Sequence, residues 1–134
     1  MEEENTMKKE ILLSKNAPQP KGPYSQAVKA GNLIFVSGQG AWDPKTGNLM
    51  AHGDIAAQTE IILENIKSIL ETAGCTLDDV VKSNVFIKDL KEFSKYNEVY
   101  KKYFTDNCPA RTTVKITDFE EGMQVEMDVI ALAK

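Results

Sequence analysis

Hydrophobic and polar positions change their period several times along this chain, and each change predicts an element. Apolar residues at positions 62, 66, 69, 70 and 73 fall on one face of a 3.6-residue spiral. Asp54 is a good N-cap ahead of them and Gly74 a natural stop behind, so the pattern predicts a helix over about 54–73. Phe93, Tyr96, Tyr100, Tyr103 and Phe104 form a second stripe and predict a helix over about 91–104. Elsewhere the period is two. Val80–Lys88, Arg111–Ile116 and Met123–Ala133 alternate as strands, and Lys9–Leu13 reads as a short first one. Leu33–Val36, an apolar run just after Gly31-Asn32, is consistent with a buried strand. Between the first two strands, 16–24 holds three of the five prolines and must be an irregular loop. Asp43-Pro-Lys-Thr-Gly47 has the chemistry of a tight turn. The order β, β, α, β, α, β, β predicts an α+β fold, a mixed sheet with two helices packed on one face.

Successive side chains of a strand point to opposite faces, so the alternation also sorts residues by side. In 80–88, Val81, Ser83, Val85 and Ile87 oppose Lys82, Asn84, Phe86 and Lys88. In 111–116, Thr112, Val114 and Ile116 oppose Arg111, Thr113 and Lys115. In the last strand, Val125, Met127, Val129 and Ala131 oppose Gln124, Glu126, Asp128 and Ile130. The apolar sides are expected under the helices. The polar sides either meet solvent or meet other subunits and form a polar crevice there. The last two strands, joined by the acidic turn 117–122, are expected to form a hairpin. A register centred between 118 and 119 would set Arg111 directly opposite Glu126.

Composition narrows the classes. With 134 residues, 42% hydrophobic and 27% charged, the chain fits one ordinary globular domain. Residues 1–8 are polar and read as a flexible arm, with Met7 an alternative start or part of that arm; 9–134 reads as a single domain. A net charge of -4 argues against a dedicated nucleic-acid binder, which needs a basic stripe. No apolar run approaches the ~20 residues that span a bilayer. The first ten residues have no apolar centre and do not resemble a secretory signal. Cys75 and Cys108 lie far apart and match no CxxC pattern, which suggests free thiols in a reducing compartment, the cytosol by default. His52, the single histidine, sits beside a glycine ahead of a helix and reads as a surface loop residue. No His/Cys/Asp spacing suggests zinc. Lys101-Lys102 reads as a solvated face.

Eight stretches then resemble one family in order and spacing. They are Gly22-Pro-Tyr-Ser-Gln-Ala27, Leu33-Ile-Phe-Val-Ser-Gly-Gln39, Asp43-Pro-Lys-Thr-Gly47, Gly53-Asp-Ile-Ala-Ala-Gln58, Val81 to Asp89, Asn97-Glu-Val-Tyr100, Pro109-Ala-Arg-Thr-Thr-Val114 and Val125-Glu-Met-Asp-Val-Ile-Ala131. Together they resemble the RidA/YjgF family of reactive intermediate (imine) deaminases across nearly the whole chain. The resemblance implies a chorismate-mutase-like α+β fold, a homotrimer, and sites in clefts between subunits. It also implies hydrolysis of 2-iminopropanoate and 2-iminobutanoate to the keto acid and ammonia, with neither metal nor organic cofactor.

The resemblance assigns roles residue by residue. Arg111 matches the carboxylate-binding arginine, and chemistry favours that choice because a planar guanidinium can hold a carboxylate through two parallel hydrogen bonds. A plain interface salt bridge is the alternative. Glu126 matches the acid that orders the attacking water, although a structural partner for Arg111 or a lysine would read the same. The carbonyl of Thr113 matches a group that holds that water. Tyr24, Ser37, Gly38 and Asn97 match pocket residues. Gly40-Ala41-Trp42 departs from the pattern, where many deaminating members carry a smaller aliphatic and a proline; Trp42 could reshape a pocket rim and change side-chain preference. Rival readings are an endoribonuclease or translation inhibitor of the same fold, and a ligand-binding trimer without catalysis.

Overall fold

The computed structural model describes residues 8–134; all but the last residue of the expected arm lie outside the described part. Six strands form one sheet in the order β1-β2-β3-β6-β4-β5. They are β1 Lys9–Leu12, β2 Ala27–Ala30, β3 Leu33–Gln39, β4 Val80–Ile87, β5 Ala110–Lys115 and β6 Val125–Leu132. Helix α1 spans Ile55–Glu71 and helix α2 spans Phe93–Tyr103. This is the α+β arrangement that the two periods predict.

Local chemistry sets the helix ends as expected. The Asp54 carboxylate accepts from the Ala57 N–H (3.1 Å), satisfying one of the first-turn donors. At the other end Gly74 takes a positive φ of 72° and lets the Cys75 N–H reach back to the Leu70 carbonyl (3.0 Å). The apolar stripe of α1, including Ile62, Leu63, Ile66, Ile69 and Leu70, is fully buried against the sheet. Val125, Met127, Val129 and Ala131 of β6 meet it from below, all buried, as their alternation requires.

Three expectations fail. The first is an omission: β2 pairs with β3 through the two-residue turn Gly31-Asn32, and the four-residue run AVKA is too short and too mixed to show a period. The second is the final hairpin. Strands β5 and β6 do not touch as a pair, because β4 lies between them, parallel to β5 and antiparallel to β6. The 117–122 segment is therefore a crossing over the end of β4, not a tight turn. On its two sides the Ile116 N–H donates to the Ile87 carbonyl and the Lys88 N–H to the Gln124 carbonyl, both at 3.0 Å.

The third follows from the second. Arg111 is opposite Ser83, and Glu126 is opposite Phe86, so the two charged residues are not a ladder pair. They do not even share a side. Phe86 is flanked by Glu126 and Val114, which puts those three on one face, while Arg111, three residues before Val114, points to the other. That other face is the helix side, since Ser83 is buried there and its hydroxyl bonds to the Tyr100 hydroxyl at 2.7 Å. In β5 the helices thus cover the Arg111–Thr113 side, and the Thr112–Val114 side stays open, the reverse of the apolar-inside rule. An edge strand beside a polar cleft need not obey that rule.

Candidate functional site

The candidates fall into two hollows, one on each side of the sheet. On the helix side, α2 stacks its aromatic residues at three- and four-residue intervals. Phe93 and Tyr96 meet edge-on with centroids 5.4 Å apart, and Tyr96 and Tyr100 do so at 5.8 Å. Their hydroxyls are tied to the strands below, Tyr96 to Thr113 Oγ1 (2.9 Å) and Tyr100 to Ser83. The rings are thereby fixed, and Arg111 lies across them. Its Cζ is 4.6 Å from the Tyr100 centroid and 5.5 Å from those of Phe93 and Tyr96. Asn97, also on α2, accepts from Arg111 Nη1 at 2.7 Å.

This arrangement holds the guanidinium by its faces and one nitrogen, leaving the remaining donors of the fork for a ligand. A hollow of about 350 Å³ lies beside it, lined by Asn97, Tyr100, Lys101, Phe104, Cys108, Pro109 and Arg111. Burial raises the pKa values of Tyr96 and Tyr100, while Arg111 beside them pulls both the other way. Three candidates, Arg111, Asn97 and Thr113, therefore stand together on the α2 side. The aromatic stripe, read from sequence as core alone, is also the cushion of the arginine. Four-residue spacing towards the polar Asn97 was the signal available.

The second hollow, of about 330 Å³, is lined by Tyr24, Ser37, Gly38, Trp42 and Glu126. Here β3 leaves its regular register with β6, between Val36 and Gln39, and opens space. Gly38 faces Glu126 so closely that a Cβ would run into the carboxylate. Ser37 gives its hydroxyl proton to the Ser25 carbonyl (2.6 Å), which leaves its lone pairs to accept. Tyr24 is half exposed, with its hydroxyl oxygen accepting from the Lys21 N–H (3.3 Å). Burial, with Asp128 nearby as a smaller cause, raises the Glu126 pKa from its ordinary value. Asp128 itself accepts from the Asn84 side chain at 2.8 Å. Sequence reading placed all four candidates of this hollow in one pocket with Arg111, and the chain on its own does not.

Other singled-out residues have ordinary places. His52 is exposed and donates from Nε2 to the Leu49 carbonyl (3.1 Å). Cys75 is buried and Cys108 exposed, both as free thiols. Among the described residues no helix is long and apolar enough to cross a membrane.

The family model described as endoribonuclease L-PSP matches residues 14–133. A RutC family protein of Pyrococcus abyssi is 50% identical over 125 residues, which cover 93% of this chain and 98% of that one. The 2-iminobutanoate/2-iminopropanoate deaminase of Escherichia coli K12 is 40% identical over 126 residues, covering 92% and 97%. The chain belongs to the RidA/YjgF family. The crystal structure of the Escherichia coli YjgF gene product superposes with a TM-score of 0.85 at 39% identity, covering 93% of this chain and 99% of that one. For a RidA/YjgF chain the insertion of β6 between β3 and β4 is thus the fold itself rather than a local distortion. The two hollows, one on each face of its sheet, are the features that this fold sets apart.

Proposed function

We propose that this chain is a hydrolytic deaminase of 2-imino acids, 2-iminobutanoate and 2-iminopropanoate among them, and that it works as a homotrimer with sites between subunits. The observation that carries the reading is Arg111, a guanidinium laid on aromatic rings and steadied by Asn97 beside an open hollow. One domain, 9–134, supplies both halves of the site, but on opposite faces of its sheet. A site that uses Arg111 and Glu126 together takes the arginine hollow of one copy and the Tyr24–Glu126 hollow of its neighbour. The open face gives such an assembly a reason to form. It exposes Phe35 (43%), Val114 (40%) and Leu132 (45%), apolar surface that a monomer would leave in water. The free thiols suit the cytosol.

The chemistry asks for position more than for power. Arg111 grips the carboxylate and so fixes the orientation of the adjoining C=N bond. A water molecule between Glu126 and the Thr113 carbonyl attacks the imine carbon. Glu126 takes its proton as the C–O bond forms, and the nitrogen gains a proton to give a carbinolamine. Transfer of the hydroxyl proton to the amino nitrogen, by way of Glu126, then breaks the C–N bond, releasing ammonia and leaving the 2-keto acid. The raised pKa of Glu126 makes its carboxylate the stronger base for this task. Tyr24, Ser37 and Gly38 form the wall that the substrate meets. No step needs a metal or an organic cofactor.

A coupled assay tests the reading. A threonine or serine dehydratase generates the imino acid, and semicarbazide traps whatever is not hydrolysed. The wild-type chain is expected to lower semicarbazone formation and Arg111→Ala to lose that effect; no effect of the wild type on several imino acids overturns the proposal. The shared site has its own test. Arg111→Ala and Glu126→Gln chains, each inactive alone, are refolded together at equal amounts. Random assembly pairs an intact Arg111 with an intact Glu126 in roughly a quarter of the clefts, so about that share of activity returns. RNA cleavage, the reading favoured by the family model's description, predicts metal-free cutting of single-stranded RNA that Arg111→Ala abolishes. The net charge of -4 speaks against it.

A further inference from the structure

Behind the Tyr24–Glu126 hollow lies a second cavity of about 240 Å³. The two spaces adjoin across Tyr24 and Trp42, which line both. Of this pair Trp42 is the one held in place, and its side chain is held from one side only. Lys21 Nζ sits 5.7 Å from the centre of its ring, and the indole N–H donates to Glu120 Oε1 at 3.3 Å. Lys21 and Glu120 both line the rear cavity and neither lines the hollow. Lys21 is tied in turn to the Gly47 carbonyl. The backbone is fixed as well: Trp42 pairs with Leu49 in an isolated antiparallel bridge, and its carbonyl accepts from Asn65 of α1 at 3.0 Å.

The two residues before Trp42 make room for its ring. Its N–H donates back to the Gly40 carbonyl at 2.8 Å, a three-residue turn that brings the indole over Gly40. The backbone of Gly40 is not in the left-handed region, so conformation does not demand a glycine there. Space does. A Cβ on Gly40 would come within 2.9 Å of Trp42 Cε2 and Cζ2 and 2.8 Å of the Met123 methyl. The methionine end can turn away, but the indole can move only by giving up Glu120 and Lys21. Ala41, between the two, is fully buried. Gly40-Ala41-Trp42 is therefore packed as one unit, two small residues that seat a large one.

We infer that Trp42 is the specificity-determining wall of the site: it ends the hollow, keeps the rear cavity out of reach, and restricts the imino acid to short side chains, methyl and ethyl ahead of branched or aromatic ones. The inference rests on the deaminase reading for its substrate class. With the reacting carbon beside Glu126, this half of the site offers Tyr24, Ser37, Gly38 and Trp42 as surroundings. Ser37 and Gly38 belong to β3 and have no room to retreat. Tyr24 is half exposed and its hydroxyl is bonded within its own loop, so it can swing. Trp42 differs from both. Empty volume lies behind it, yet a larger side chain would have to drive the indole into that volume against Lys21 and Glu120. A wall that does not yield discriminates by size, with one methylene in an apolar pocket worth about 10–200-fold.

A size series reads the wall. An amino-acid oxidase generates the 2-imino acids of alanine, 2-aminobutyrate, leucine and phenylalanine, and semicarbazide trapping gives kcat/KM for each. In the wild type the two short imines are expected to lead the leucine-derived one by roughly tenfold or more. Trp42→Ala joins the hollow to the rear cavity, and that ratio is expected to fall about tenfold, whatever the variant does to the overall rate. Glu120→Ala, at an exposed loop position, frees the indole N–H and should relax the ratio severalfold with the fold kept. A wild type that takes the leucine-derived imine as readily as the short ones overturns the inference, and so does a ratio that the folded variants leave unmoved. In either case hydrolysis of the short imines keeps the deaminase reading, and the wall alone fails. Where no imino acid is hydrolysed, the deaminase reading fails. The wall is then decided by the emission of Trp42, the single tryptophan, titrated with 2-oxobutanoate and with 4-methyl-2-oxopentanoate. Apolar bulk ordinarily tightens binding. Tighter binding of the shorter acid, lost in Glu120→Ala, therefore supports the wall, and equal binding or none sinks it.

Discussion

The two hollows of this chain solve opposite problems. Around Arg111 the side chain is charged and exposed, and rigid rings with hydroxyls bonded to β4 and β5 hold it still. Around Glu126 the side chain is charged and half-buried, and what surrounds it is a gap made by Gly38 and an irregular stretch of β3. The first hollow holds a cation in one orientation. The second is built to make a charge uncomfortable. The proposed reaction, binding by preorganised donors and proton transfer by a base whose charge is disfavoured, calls for these two environments.

The largest effect should come from the first half. Arg111→Ala removes the fork, and kcat/KM for 2-iminobutanoate is expected to fall by about 10²–10³ or more, the range for losing a charge pair at a site. Arg111→Lys should recover little, because a point charge cannot match the planar fork. Thermal melting and the oligomeric state should hardly change in either. A dissociated or unfolded Arg111→Ala protein would make the arginine structural and undo the contrast.

Glu126→Gln comes next, with an expected loss of roughly 10²-fold in kcat for removing a general base. Its stability should move the other way. The folded protein binds the Glu126 proton more tightly than the unfolded chain does, because burial raises the carboxyl's pKa. That contribution is fully present below the ordinary carboxylate range and is lost as pH rises through the raised value. The neutral glutamine escapes this penalty, so the variant should melt above wild type at neutral pH and not above it near pH ~4. For wild-type activity, the acid limb of the pH profile should lie above the ordinary carboxylate range. A variant that melts lower at neutral pH would show that Glu126 is stabilised as an anion.

Gly38→Ala probes the gap itself. The new methyl meets the end of a flexible side chain, so Glu126 can swing aside at little cost to the fold. Activity is expected to drop about tenfold, an intermediate price for a misplaced base, with an almost unchanged Tm. The smallest effect should be that of Asn97→Ala, a severalfold rise in KM with kcat largely kept, since the rings still seat the guanidinium. Comparable losses at all four positions would erase the distinction between a rigid hollow and one that disfavours its charge.

How much of this was legible beforehand depends on range. The helices were, because Asp54, Gly74 and the aromatic stripe act within a turn or two of themselves. The inner face of β6 was, because alternation is local. Strand β2 escaped notice although Gly31-Asn32, a two-residue turn between paired strands, announced it. Strand order was not legible, since nothing in the acidic 117–122 segment distinguishes a hairpin turn from a crossing over β4. The error about order carried over to the site and set Arg111 against Glu126 when the sheet keeps them apart. Family resemblance supplied the site residues one by one, but not which of them one chain could bring together.

The position of β6 has a consequence in time as well as in space. Strand β6, the last of the six in chain order, is an inner one, bonded on one side to β3 and on the other to β4. Until Val125–Leu132 leave the ribosome, the sheet is two unconnected pieces, and α1 lies over a seam with no strand in it. Vectorial synthesis therefore cannot stabilise this chain bit by bit from its beginning. The middle of the sheet can close only once Val125–Leu132 are present, and a chain that lacked them would have a sheet without its middle.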